Sequence, residues 1–181
     1  MAPPRDIVYF DLETQRSAGD VGGFGNRDRM GMSIGVTYST KTDEYRIFRE
    51  QETEDLVSQL MRADLVIGYN HVGFDYAVLQ PYTLFTLIEH TVNLDLLVDL
   101  ESRLGHRLKL EAVAKPTLGA GKTTDGLQAI LWWREGKLRE IAEYCAYDVK
   151  VTRRVHEFGV RNGFVKYLDI SGREQQVKVS W

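Results

Sequence analysis

Asp6-Ile7-Val8-Tyr9-Phe10-Asp11-Leu12-Glu13-Thr14 is the stretch on which the fold turns. From Asp6 to Leu12 apolar side chains fall on both alternating faces, the pattern of a central strand covered on each side. Asp11 and Glu13 stand two residues apart, so in an extended chain both carboxylates leave from one face. They come at the carboxyl end of the strand, where open α/β sheets commonly place ligands.

The flanking sequence fills in the architecture. Thr14 to Gly31 is rich in Gly and Arg without periodicity and reads as a long loop, expected to be mobile without substrate. Met32 to Tyr38 and Glu44 to Phe48 read as two strands joined by the polar turn Ser39 to Asp43, a hairpin. Residues 52–63 have helical spacing through Leu56, Leu60 and Met61, with Thr53 as the cap. Leu65 to Gly68 is a short buried strand, Phe74 to Leu79 begins a helix, and Val92 to Leu97 is a further strand with helical stretches after it to about Lys115. Gln128 to Arg134 is helical, and a long helix runs from about Leu138 to Phe158. The tail from Phe164 to Trp181 alternates apolar and polar around Ser171-Gly172, a terminal hairpin. Three leading strands followed by alternating helices and strands predict an α/β fold: a mixed β-sheet flanked by helices, with a C-terminal β-hairpin extension.

At 181 residues the chain has room for one well-buried domain and is short for two. Residues 1–181 are therefore read as a single unit, with a core over 5–160 and the hairpin over 164–181. Its 43% hydrophobic and 27% charged residues are those of a soluble globular protein. No apolar run reaches membrane-spanning length, and Met1 to Arg5 lacks the apolar stretch of a signal peptide. Cys145 is the one cysteine, which excludes an intrachain disulfide and fits a reducing cytoplasm. A membrane partner is thus not expected, and a cytoplasmic location is. The net charge of −3 is awkward for a phosphate-bearing partner. Clustered acids contribute to that sum and divalent cations would offset them locally, so the position of the Lys and Arg residues matters more than their total.

Two further motifs carry carboxylates. In Asn70-His71-Val72-Gly73-Phe74-Asp75, Asp75 follows a strand and a tight loop, which puts it in the first turn of a helix, where the macrodipole favours an acid. A cap or dipole partner is the plain alternative for it. Asn70 either bonds the loop or positions a substrate, and Phe74 packs in the core under either reading. In Tyr144-Cys145-Ala146-Tyr147-Asp148, the argument is sharper. Ile141, Cys145, Asp148, Thr152 and Val155 follow one another at alternating steps of four and three, so they share one helix face, and that face is the buried one. An Asp within it is costly to ionise unless paired or metal-bound, and no cation lies on the same stripe. Tyr144 lies one turn before Asp148, so its hydroxyl can reach the same place. Carboxylates in three motifs describe a site for hard cations, which prefer oxygen ligands and, in pairs, clamp the attacking and leaving oxygens of a phosphodiester.

Together, the strand-borne Asp-x-Glu, the helix-start Asp and the helix-face Asp with Tyr four residues earlier resemble the DEDD 3′–5′ exonuclease superfamily, the tyrosine marking its DEDDy branch. Thr117-Leu118-Gly119, Lys122, Asp125-Gly126, Leu131-Trp132 and Glu143-Tyr144-Cys145 look like the helicase-associated and stand-alone ribonuclease-H-like exonuclease domains of bacteria and archaea. The resemblance covers about residues 5–160 and implies a ribonuclease H-like fold. It implies two divalent ions, Mg²⁺ or Mn²⁺, with Asp11 bridging both, Glu13 and Asp148 completing the site that activates water, and Asp75 acting on the second ion. Tyr144 would orient the attacking water. The implied activity is 3′–5′ exonucleolytic hydrolysis of single-stranded DNA or RNA, with a helicase or another repair or processing protein as an implied companion. The alternatives are a structure-selective endonuclease on the same fold, or a non-catalytic nucleic-acid-binding or recruitment module that retains the acids.

Substrate contacts are expected from Thr14, Asn70 and Phe74, and from Arg16, Arg27 and Lys122 in two basic stretches. One stretch is the loop with Arg16, Arg27 and Arg29; the other holds Arg103, His106, Arg107, Lys109, Lys115 and Lys122. Gly119-Ala120-Gly121-Lys122-Thr123 imitates a P-loop, but Pro116 stands where the motif needs its first Gly, so an ATPase is not expected. The four histidines lack zinc spacing; His71 reads as a loop residue, Cys145 as a core thiol, and Trp132 and Trp133 as packing residues.

Overall fold

The computed structural model describes residues 6–119 and 126–181. Its frame is a five-stranded sheet built from β1 (Ile7–Thr14), β2 (Met32–Ser39), β3 (Glu44–Arg49), β4 (Leu65–Gly68) and β5 (Asn93–Asp95), in the order β3-β2-β1-β4-β5. β1 runs antiparallel to β2 and parallel to β4, and β4 is parallel to β5. The helices are α1 (Ala18–Val21), α2 (Thr53–Arg62), α3 (Tyr76–Leu79), α4 (Leu87–His90), α5 (Leu96–Leu104), α6 (Leu110–Leu118), α7 (Gly126–Arg134) and α8 (Leu138–Asn162). β6 (Phe164–Leu168) and β7 (Glu174–Lys178) form the separate C-terminal hairpin. This is the mixed α/β architecture that the strand and helix pattern predicts, and it matches the ribonuclease H-like fold that the resemblance implies.

The alternation of β1 divides its side chains between two cores. Val8, Phe10 and Leu12 enter one with Met32, Phe48, Leu56, Leu60 and Val66. Tyr9 enters the other with Ile34, Val36 and Tyr38 of β2 and with Ile141, Cys145, Val149 and Val155 of α8. Asp11 and Glu13 share the parity of Tyr9, so they leave β1 on the face that α8 covers. The buried helix stripe is present as read: Ile141, Cys145, Asp148, Thr152 and Val155 are all buried.

Four local expectations need correction. The Thr14–Gly31 segment is not an open loop: it holds α1 and a kinked 3-10 segment, Phe24–Arg29. Ser17 and Asp20 form a reciprocal cap on α1, and backbone bonds Gln15 N–H to Gly31 O (2.9 Å) and Arg16 N–H to Met30 O (3.1 Å) close its neck. Helices this short leave no periodicity to read. Thr53 is the first residue of α2 rather than its cap, its hydroxyl donating to Glu50 O from a preceding 3-10 turn. Winding begins before Phe74, in a π-helical turn over His71–Asp75 that starts from Asn70 in the left-handed region (φ 68°). Gly68 permits it, since a Cβ there would stand 2.7 Å from the His71 side chain. His71 is accordingly no loop residue. It is fully buried, 3.1 Å from Asn93 Oδ1 through Nε2, and burial lowers its pKa and keeps it neutral.

Candidate metal centre

Asp11 and Glu13 of β1 and Asp148 of α8 converge, each offering a carboxylate oxygen, with those atoms all within 4.8 Å of one another. Two are half-buried and Asp148 is buried. Like charges this close repel, and an intervening cation removes the repulsion. The donor set is entirely oxygen, which suits Mg²⁺ or Mn²⁺ and not a thiolate-seeking metal.

Cys145 ties the two elements together. Its Sγ lies 3.3 Å from Asp11 O and 3.4 Å from Asp11 Oδ2, donating toward the acid. Burial pushes the thiol's pKa well up, and the charges of Asp11, Glu13 and Asp148 push it further. A thiol held neutral in this way is a core donor and not a nucleophile.

Asp75 stands beside the cluster without joining that convergent trio. Its Oδ1 accepts the N–H of Leu12, between the two β1 acids, at 3.0 Å. The pairing of β1 with β4 ends at Tyr9 and Ile67, so Asp75 supplies the acceptor that a longer β4 would have provided. Burial, then the charge of Asp11, raises its pKa well above the usual carboxylate range, while the Leu12 N–H opposes the rise. The expected dipole role at a helix start is replaced by this bond to the sheet. Tyr144 is buried one turn before Asp148, its ring edge-on to Trp132 (6.0 Å, 74°).

Of the expected substrate residues, Thr14, Arg16 and Phe74 border one cleft of about 450 Å³ together with Glu13. Thr14 Oγ1 donates to Arg16 O at 3.0 Å, which fixes the turn out of β1. Apolar side chains also line it, among them Phe24 and Leu127, which are 68% and 63% exposed. These two were not legible as site residues, although a Phe in a Gly- and Arg-rich stretch was a signal. Asn70 is turned to the loop: its Oδ1 accepts from Arg107 Nη2 at 2.9 Å. Arg27 borders a separate depression with Val72 and Tyr76. Lys122 lies outside the described residues. In the second basic stretch, Arg103 is paired with Asp99 (2.7 Å) and Arg107 with Glu101 (3.3 Å). Asp95 is a further residue the sequence did not single out. It accepts the N–H groups of Asn70 (2.8 Å), Val72 (3.1 Å) and Leu97 (3.1 Å), fastening the turn that carries Asp75 to the start of α5.

A central strand bearing two acids, parallel partners on one side and a helix-borne acid facing them define a nuclease-like fold with a candidate acidic metal site. Residues 8–158 match the family model of the RNase_H superfamily, and the chain belongs to that superfamily. Among solved structures it is similar to the family B DNA polymerase from the hyperthermophilic archaeon Pyrobaculum calidifontis, with 18% identity and a TM-score of 0.64. That match covers 87% of this chain and 25% of the polymerase chain, so the likeness is one of fold and this chain spans about a quarter of the polymerase's length. No curated protein matches the chain significantly. Among the described residues, no helix is long and apolar enough to cross a membrane.

Proposed function

We propose that the protein is a metal-dependent 3′–5′ exonuclease of the DEDDy type acting on single-stranded DNA or RNA. The observation that carries the reading is the convergence of Asp11, Glu13 and Asp148 within 4.8 Å, in a chain of the RNase_H superfamily. Asp11 and Glu13 from one face of β1 and Asp148 from α8 hold divalent ions, and Asp75 serves the second of two. Mg²⁺ or Mn²⁺ bound there supplies Lewis acidity toward the scissile phosphate and lowers the pKa of water.

The chain's own groups do the rest. Tyr144 orients the attacking water, one helical turn from Asp148. The cleft beside Glu13 takes the terminal nucleotide, with Phe24 and Leu127 against the base and Arg16 toward phosphate. Cys145, neutral and donating, holds Asp11 in place without competing as a nucleophile. A helicase or other processing protein is the proposed companion, and the cytoplasm the proposed location.

The test is digestion of a 5′-labelled single strand with Mn²⁺, Mg²⁺ or EDTA, beside a circular single strand. A metal-dependent ladder shortening from the 3′ end with the circle spared is the expected result. A cut circle would replace the reading by an endonuclease, and no cleavage by a folded sample would replace it by a binding module.

A further inference from the structure

The net negative charge leaves open where a polyanion would lie, and an exposed flank of α8 answers it. Arg139, Glu143, Tyr147, Lys150 and Arg154 follow one another at steps of three or four, and all are exposed. The stripe lies on the solvent side of the helix, about 100° round its axis from the buried face that carries Asp148. From Tyr147 to Arg154 it covers about 10 Å of helix axis.

Beside it runs β3, an edge strand of the sheet. Tyr45, Ile47 and Arg49 lie opposite Tyr38, Val36 and Ile34 of β2, all three of which face α8. Directly opposed residues share a face, so Tyr45, Ile47 and Arg49 are turned to the α8 side, where each is exposed. Tyr45, Glu143, Ala146, Tyr147, Lys150 and Arg153 border a cleft of about 500 Å³ between the strand and the helix. The two tyrosines are 41% and 37% exposed, and the Tyr45 ring lies 4.9 Å from that of Tyr38.

The charges of this cleft are arranged for an anion. Arg153 lies 3.9 Å over the Tyr38 ring and its Nε donates to Glu157 at 2.7 Å, so the guanidinium is held in place on the cleft wall. Glu143, the one acid on the cleft wall, is paired with Arg139 at 2.8 Å. Lys150 and Arg154 stand exposed along the same flank.

We infer that this flank is a sequence-tolerant binding track for single-stranded nucleic acid. Tyr45 and Tyr147 stack on bases, while Lys150, Arg153 and Arg154 face backbone phosphates. The inference rests on the nuclease reading for its choice of ligand, but its binding test does not.

Fluorescence anisotropy with labelled 16-mers of oligo(dT) and oligo(U), in EDTA at low salt, measures the track without cleavage. Tyr45→Ala is expected to raise Kd for the bound 16-mer at least about fivefold, as the loss of one stacked base does. Lys150→Glu is expected to weaken binding and to reduce the slope of log Kd against log salt by about one. Hydrolysis of a 4-mer with Mn²⁺ is expected to stay at the wild-type rate in both variants, since a 4-mer needs only the acid cluster and its adjoining cleft. Wild-type protein that binds neither 16-mer, or folded variants that bind both as wild type does, would overturn the track. If the 16-mer is bound in a Tyr45-dependent way and nothing is cleaved, the track stands and the nuclease reading falls; if both lengths are cleaved and the variants bind normally, the reverse holds.

Discussion

Asp148→Asn separates a metal ligand from a structural acid, because the two roles predict opposite signs of stability change. The oxygens of Asp11, Glu13 and Asp148 lie within 4.8 Å of one another. At an effective dielectric of 20, two unit charges at that distance repel by about 3.5 kcal/mol. Solvent around half-buried Asp11 and Glu13 screens part of this, so removing the Asp148 charge should stabilise the metal-free protein by about 2 kcal/mol. For a chain of this size that is a rise in Tm of roughly 4–8 °C. Wild-type protein should respond to Mn²⁺ instead, gaining about 2.7 kcal/mol at a hundredfold excess over Kd, while the variant gains little. The assay is a thermal melt of both proteins at pH 8, in EDTA and across a Mn²⁺ titration. A variant that melts lower than wild type in EDTA, with wild type indifferent to Mn²⁺, would refute the reasoning and make Asp148 a hydrogen-bonding core residue.

Asp11→Asn should abolish cleavage while circular dichroism stays native; near-normal turnover would defeat the assignment of the cluster. Tyr144→Phe should slow hydrolysis by about a hundredfold, the usual scale for a positioned proton-handling group, and leave the Mn²⁺-dependent Tm shift intact; an unchanged rate would reduce Tyr144 to packing against Trp132. His156, 2.8 Å from the Tyr9 hydroxyl and stacked on Trp181, has its pKa lowered by burial to about 4. A folded pKa below the unfolded value of about 6.5 gives stability that is complete above pH 6.5 and lost as pH falls toward 4, about 3 kcal/mol in all; an acid limb equally steep in His156→Phe, followed by urea melts from pH 4 to 7, would contradict this. Gly159→Ala should destabilise the fold by about 1–3 kcal/mol, since its Cβ would stand 2.5 Å from the Trp181 ring. In a Trp181→Ala background most of the penalty should vanish, leaving the 3.0 Å approach of Val179 Cγ2 against the helix propensity of Ala, and a penalty equal in both backgrounds would show that Trp181 is not what the glycine accommodates.

The strand of paired acids and the buried stripe of α8 were legible because each obeys one period along the whole element. Asp11 and Glu13 needed only the two-residue repeat of β1, and Asp148 only the helical repeat from Ile141 to Val155. Asp75 was legible as an acid near a strand end but not as the acceptor for Leu12 N–H, because that bond depends on where β4 stops pairing. Asp95 escaped for the same reason: its partners, Asn70, Val72 and Leu97, are backbone groups that no side-chain pattern marks. The Thr14–Gly31 segment hid its two helical pieces in local capping, Ser17 with Asp20, over too few residues for a period to show. The apolar lining of the cleft joins Phe24 to Leu127, positions that only the tertiary fold brings together.

The register of β1 makes the candidate site a by-product of the core on one face of the sheet. Tyr9, Asp11 and Glu13 share a parity, and α8 packs its Cys145 against Asp11 and its His156 against Tyr9, so the helix lies antiparallel over that row. Toward the amino end of β1 the row is apolar and sealed; toward its carboxyl end, β4 no longer pairs and the surface opens into the cleft beside Glu13. A slip of one residue would carry Tyr9 to the opposite core and bring Phe10 and Leu12 under α8 in place of the acids. Selection for a well-packed Tyr9, Val36, Cys145 and Val155 thus also sets the separation of Asp11, Glu13 and Asp148. Repacking that core should move the three oxygens before it unfolds the chain, and metal response should then decline ahead of thermal stability.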